Sequence, residues 1–415
     1  MRRRLFLRLS IPAGLHVLSG VASAAGTEPA SLPKARALLA AGGPLSVICF
    51  GDSVTGVYYH TGSRRAYTDM LEIALRQAHP RARIIAINAG ISGNTTRDAL
   101  ARIDHDVLDK RPDLVSVMFG LNDMTRVPVD EYRENLRAIV AKCRAANAEV
   151  ILCTPNNVIT TPDRPSERLR VYCDAVRGVG EALAVPVVDV HAAFEALRAR
   201  DPRAWRLSLS DEIHPNMDGH RRIAELLAGA IAGRPVSLAD VRPPDPALVR
   251  TGERLRAGEP IRVLAMPPFD AWFKPLLRAQ APNARVEVTS WPTGGMSLAE
   301  LRADARRRVR PMAPDLVMIA VPGGAAADSI EEFIADYTWI MNDSLSFGGG
   351  GWDCVVVHPA VLEPGHAPDD GRGELVRTLV RAQDLTLIDR SPGDARPARE
   401  LLAGWLARRP WDPAP

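Results

Sequence analysis

The chain has 415 residues, 46% hydrophobic and 24% charged, with 31 Gly and 34 Pro. This is a globular composition and excludes a disordered, collagenous or coiled-coil protein. Lysine and arginine number 52 against 49 acidic residues, but four arginines (Arg2, Arg3, Arg4, Arg8) precede the first acid, Glu28; without them the balance is 48 to 49, which removes the electrostatic case for nucleic acid as a partner.

Residues 1–24 read as an export leader. Basic Arg2 to Arg4 precede an apolar stretch from Leu5 to Val21, and Ala22-Ser23-Ala24 supplies a small-residue cleavage site. Arg8 and His16 interrupt the stretch, so stable membrane insertion is not expected. Arg3-Arg4-Leu5-Phe6-Leu7-Arg8 resembles the twin-arginine pattern, with a general secretory signal as the alternative. No cysteine stands near the cleavage site to take a lipid anchor. The expected location is the periplasm or the exterior.

After a lead-in at 25–42, short apolar runs alternate with amphipathic patterns. Leu45–Phe50, Ile84–Asn88, Leu114–Phe119, Val150–Thr154 and Val185–Asp189 are continuous, predominantly apolar runs, as strands covered on both faces should be. Tyr67–Gln77, Thr96–Leu108, Asp130–Ala146, Glu167–Leu183 and Asp218–Ala232 carry the helical period. The alternation predicts a doubly wound parallel α/β sheet over 43–232. Gly233–Glu259, with Arg242-Pro243-Pro244-Asp245-Pro246, reads as a linker.

Residues 260–410 repeat the order. Pro260–Met266 echoes Pro44–Phe50, and Arg285–Pro322 aligns without gaps to Arg83–Gly120 at an offset of 202. Asp353–Pro359 echoes Glu149–Pro155, and Leu385–Asp389 echoes Val185–Asp189. An internal duplication is inferred. Five cysteines (49, 143, 153, 173, 354) form no C-x-x-C, so neither a metal site nor a disulfide scaffold is expected. Cys49, Cys153 and Cys354 read as buried strand residues; whether Cys143 pairs with Cys173 is left open.

Four segments carry chemistry. Gly51-Asp52-Ser53 follows the first strand and puts a hydroxyl at the carboxyl edge of the sheet, where such folds bind ligands. The second strand runs into Ile91-Ser92-Gly93-Asn94-Thr95-Thr96, whose glycine exposes a backbone N–H. Gly120-Leu121-Asn122-Asp123 follows the third, and its Asn amide offers two donors. Asp211-Glu212-Ile213-His214-Pro215-Asn216 stands near the end of the same half, with Asp and His spaced to pair.

In this order the segments resemble the SGNH/GDSL hydrolases, over residues 43–232. The resemblance implies a flavodoxin-like three-layer α/β/α sandwich and a serine hydrolase with Ser53 as nucleophile, His214 as general base and Asp211 orienting it. The Ser53 and Gly93 backbone N–H groups and the Asn122 amide would form the oxyanion hole. With the duplication, the expectation is two such sandwiches, the second degenerate: Phe269 and Gly324 replace Ser53 and Asn122, and only Gly295 persists. Tyr58, Tyr59, His60 and Arg64, in the loop after the nucleophile, are candidate pocket residues; a packed surface loop explains them equally. His191, His220 and His358 read as structural. The second half also holds six of the seven Trp and a Gly348–Gly351 run, which suggest glycan capture and a lid.

The expected activity is hydrolysis of carboxylic esters through an acyl-enzyme, without metal or cofactor, on a small-molecule or glycan ester and most simply on acetyl esters of carbohydrates. The alternatives are a lysophospholipase- or thioesterase-type lipid hydrolase and, in another class, a non-catalytic carbohydrate-binding protein. Oligomeric state is not readable.

Overall fold

The structure, a computed structural model, describes residues 31–62, 64–243, 247–346, 351–362 and 371–409. The leader, part of the Pro-rich linker and Gly348–Gly350 lie outside the described residues. Ten strands form two sheets of five parallel strands with helices on both sides. The first sheet contains β1 (Pro44–Gly51), β2 (Arg83–Gly90), β3 (Leu114–Met118), β4 (Glu149–Cys153) and β5 (Val187–Val188). The second contains β6 (Ile261–Ala265), β7 (Val286–Ser290), β8 (Leu316–Ile319), β9 (Asp353–Val357) and β10 (Thr386–Ile388). Their spatial orders are β2-β1-β3-β4-β5 and β7-β6-β8-β9-β10, the same winding twice.

The inner strands β1, β3 and β4 form where the apolar runs predict them because both faces are covered, whereas edge strand β2 leaves Ile85 exposed. Val47, Ile48, Cys49, Phe50, Val115 and Ile151 are inaccessible to solvent, and each fully buried large side chain contributes roughly 1.5–3 kcal/mol. Strand β5 is shorter than the run Val185–Asp189: Asp189 instead caps the helix Val190–Arg200, its carboxylate accepting from the Ala192 N–H. The stretch read as a linker contains a helix, Val249–Arg256, whose preceding Leu248 belongs to the second core.

The two halves share contacts as well as topology. Asp113 Oδ2 accepts from the Ser46 N–H at 3.0 Å, and Asp315 Oδ2 accepts from the Arg262 N–H at 2.8 Å. The Glu149 carboxylate takes the Lys34 and Ala35 N–H groups at the start of helix Pro33–Ala41. Asp353 does the same for Arg250 and Thr251 in the second half. Arg177 clamps Asp189 at 2.7 Å, and Arg377 clamps Asp389 at 2.8 Å. The carboxylates of these pairs fall on positions that the sequence alignment equates.

The six tryptophans of the second half do not form an exposed platform. Trp291 and Trp405 are buried in its core; Trp272, Trp339 and Trp352 are half-buried; Trp411 lies outside the described residues. All five cysteines are buried and free, so Cys143 and Cys173 are not bonded. No described helix is long and apolar enough to cross a membrane.

Candidate active site

Strand β1 ends where the chain must turn tightly above β2. A Cβ on Gly90 would stand 2.2 Å from the Gly56 nitrogen, so the turn Gly51–Gly56 packs on bare backbone. Inside the turn, Asp52 Oδ1 accepts from the Val54 N–H at 3.0 Å, and the Thr55 and Gly56 N–H groups donate to the Asp52 carbonyl. Ser53 is thereby held at the carboxyl edge, 8% exposed. Burial raises the Asp52 carboxyl to about 7, against the Val54 hydrogen bond. Its observed work is turn support, as is that of Asp123, which accepts from the Thr96 N–H and hydroxyl at 2.8 and 2.6 Å.

The structure brings Ser53, His214 and Asp211 into series. Ser53 Oγ lies 2.8 Å from His214 Nε2, and His214 Nδ1 lies 2.7 Å from Asp211 Oδ2. Asp211 Oδ1 also takes the Ile213 and His214 N–H groups at 2.8 and 2.7 Å. Burial acts to raise the Asp211 carboxyl, but the His214 charge and these hydrogen bonds outweigh it and hold it far below the ordinary carboxylate range. An ionised Asp211 requires Nδ1 to carry the proton, leaving the Nε2 lone pair facing the hydroxyl.

Gly93 sits at φ +77°, with open space where a Cβ would be. Asn122 Nδ2 donates to the Asn94 carbonyl at 3.0 Å, while Arg164 approaches Asn122 Oδ1 at 3.5 Å. That pattern orients the amide and leaves its second N–H for a ligand. Among the described residues, neither the Ser53 nor the Gly93 N–H is used by the chain.

The loop after Ser53 divides its residues. Tyr58 is half-buried; its hydroxyl accepts from the Ser92 N–H at 2.9 Å beside the Gly93 turn. The Tyr59 side chain lies outside what is described. Arg64 donates to the Asp384 carbonyl at 3.2 Å and so faces the second half. His60 is fully buried, its ring stacked behind His214 at 4.3 Å and 14°. Burial first, then the neighbouring imidazoles, push it well below the usual histidine value. His220 continues the column at 5.8 Å and accepts from the Tyr67 N–H at 3.2 Å.

Several supports were missed by sequence reasoning. Arg102 lies over the Phe50 ring and donates to the Gly51 carbonyl and Asn94 Oδ1, tying the first two turns together. Asn156 Nδ2 holds the Ile213 carbonyl at 2.9 Å, and Asn157 Oδ1 accepts from Trp205 at 2.7 Å. The sequence signal was the polar pair directly after an apolar strand. In the second half, Phe269 is buried, Gly295 keeps φ +73°, and an Asp394–Arg396 ion pair stands near the place of Asp211 and His214. His358 is buried against Asp389 at 3.3 Å, with Ala360 N–H donating to it. No described group of three His, Cys, Asp or Glu side chains is arranged to hold a metal ion.

Residues 49–222 match the GDSL-like lipase/acylhydrolase family. An acetylxylan esterase of Geobacillus stearothermophilus is 34% identical over 165 residues, covering 36% of this chain and 73% of that protein. An uncharacterized lipoprotein of Bacillus subtilis is 34% identical over 119 residues, 26% of this chain and 47% of the relative. Among solved structures, a lipase/acylhydrolase from Enterococcus faecalis aligns at 27% identity and a TM-score of 0.40, over 46% of this chain and 96% of that one. The chain therefore belongs to the GDSL-like lipase/acylhydrolase (SGNH) family and is a serine carboxylic ester hydrolase.

Proposed function

We propose that this esterase removes short acyl groups, acetyl first among them, from carbohydrates outside the cytoplasm, using Ser53, His214 and Asp211. His214 Nε2 takes the Ser53 proton as Oγ attacks the ester carbonyl. The Ser53 and Gly93 N–H groups and the free Asn122 N–H receive the oxyanion. His214 then gives its proton to the departing alcohol, leaving an acyl-serine, and water repeats the sequence to release the acid. The observation that carries this reading is the unbroken series from Ser53 Oγ through His214 to Asp211, at 2.8 and 2.7 Å.

The acetyl-carbohydrate assignment is supported by the likeness to an acetylxylan esterase. The export assignment rests on the leader at 1–24. The second half is read as a duplicated copy whose own chemistry has gone, supported by the repeated sheet order and carboxylate rivets. A fluorophosphonate probe tests the nucleophile: labelling should fall on Ser53 and vanish in Ser53→Ala. A para-nitrophenyl ester series tests the acyl group. Preference for acetate, together with acetate release from acetylated xylo-oligosaccharides, is expected; preference for octanoate or longer would transfer the enzyme to lipid or thioester substrates.

A further inference from the structure

Ser53 stands on a turn fixed by strand β1, but Asp211 and His214 belong to a loop outside regular secondary structure. Such a loop needs external bracing to keep an imidazole within a few tenths of an ångström of its partner. The first half supplies part of it: the Ile213 carbonyl is held by Asn156, and the Glu212 carbonyl by the Ile159 N–H at 2.9 Å.

The loop also closes on itself, the Ser210 N–H donating to the His214 carbonyl at 2.8 Å, and further bracing comes from the second half. Ser210, the residue before Asp211, donates its hydroxyl to Asn342 Oδ1 at 2.8 Å, and Asn342 Nδ2 donates back to the Ser210 carbonyl. Gln383 Nε2 reaches Asn342 Oδ1 at 3.0 Å, Ser210 Oγ at 3.1 Å and the His60 carbonyl at 3.2 Å. Ser346 adds a bond to the Gly62 carbonyl at 3.0 Å. Ser210 and Asn342 are inaccessible to solvent, and Gln383 is 4% exposed. One amide thus joins the loop that carries His214 to the turn that carries His60, and those two rings are stacked face to face. Beside it, the buried Asp384 forms ion pairs with the buried Arg65 and the half-buried Arg221 of the first half.

We propose that Asn342 and Gln383 are positioning residues: the second half acts as a clamp that keeps His60 flat against His214 and so holds Nε2 in line with Ser53 Oγ. This rests on the reading of Ser53, His214 and Asp211 as the catalytic set. It gives the copy without chemistry a role in the chemistry of the other.

The test uses full-length Gln383→Met and Asn342→Leu, which keep volume and remove the polar contacts, with Ser53→Ala as reference. Turnover of para-nitrophenyl acetate, the fluorophosphonate labelling rate and the thermal midpoint are measured on each. In folded variants kcat and the labelling rate should fall together by about 10- to 100-fold while KM changes less than about twofold. Wild-type kcat in a folded variant, with Ser53→Ala inactive, overturns the clamp and leaves the catalytic set standing. Full activity in Ser53→Ala overturns the catalytic set, and the clamp with it. If both larger variants fail to fold, Ser210→Ala removes one hydroxyl from the same network. A kcat loss of about fivefold or more at unchanged KM supports the clamp, and wild-type kcat overturns it.

Discussion

At the carboxyl edge of the first sheet stand Ser53, Gly93 and Asn122; at the aligned places of the second stand Phe269, Gly295 and Gly324. The carboxylates that pin the strands persist in both halves, as Asp113 and Asp315, Glu149 and Asp353, Asp189 and Asp389. What the halves have in common is what closes the fold, since an unpaired backbone N–H at a strand or a helix start costs as much in one as in the other. Ser53 and Asn122, which give way to Phe269 and Gly324, follow the carboxyl ends of strands, where a side chain is replaced without disturbing the sheet.

The sharpest way to break this comparison is to remove the proposed nucleophile. Ser53→Ala and His214→Ala are each expected to lower kcat by about 10⁴-fold or more, and Phe269→Ser should create no activity in the second half. Burst and steady-state kinetics on para-nitrophenyl acetate measure both. Residual turnover near wild type in Ser53→Ala would move the chemistry elsewhere. Next in size is Asn122→Ala, expected to cost about 10²- to 10³-fold in kcat with KM little changed, whereas Gly324→Asn should change nothing.

Acid should separate the halves by stability. Burial drives His220 down to about 3 and His60 well below its ordinary value. Unfolded, both rings titrate near 6.5. Between about pH 6.5 and 3 these two rings bind more protons in the unfolded chain and so lower the stability of the first half as pH drops, with the raised Asp52 carboxyl offsetting part of the loss above about pH 4. Six of the seven tryptophans report on the second half. Far-UV circular dichroism should therefore decline before tryptophan fluorescence shifts; coincident transitions would mean that the halves unfold as one. The smallest effect compares equivalent glycines. Gly93→Ala and Gly295→Ala face the same positive φ and the same open space, so each should cost about 1–2 kcal/mol in thermal unfolding. Only Gly93→Ala should also lower kcat.

Much of this was legible beforehand, and the reason is locality. A strand covered on both faces is apolar without interruption, and Gly-Asp-Ser or Asp-x-x-His brings its partners within four residues. The alternation and the offset of 202 likewise survive in a linear reading. What stayed hidden was non-local. Nothing near Gln383 says that it meets His60, 323 positions away. His60 read equally as a pocket residue or as part of a packed loop because it follows Ser53; it is buried against the His214 ring, the 3-10 turn Tyr59–Thr61 folding it inward. The helix Val249–Arg256 was masked by the prolines before it, although its N–H groups meet Asp353 as those of Pro33–Ala41 meet Glu149.

The five thiols have a consequence of their own. All are buried, and burial pushes Cys143 and Cys354 up to about 12, so the folded protein offers an oxidant almost no thiolate. An unfolded chain would offer all five, an odd number that pairing cannot exhaust. Order of events then matters: folding before meeting an oxidising environment preserves the thiols, while the reverse order invites crosslinks that no native geometry would accept.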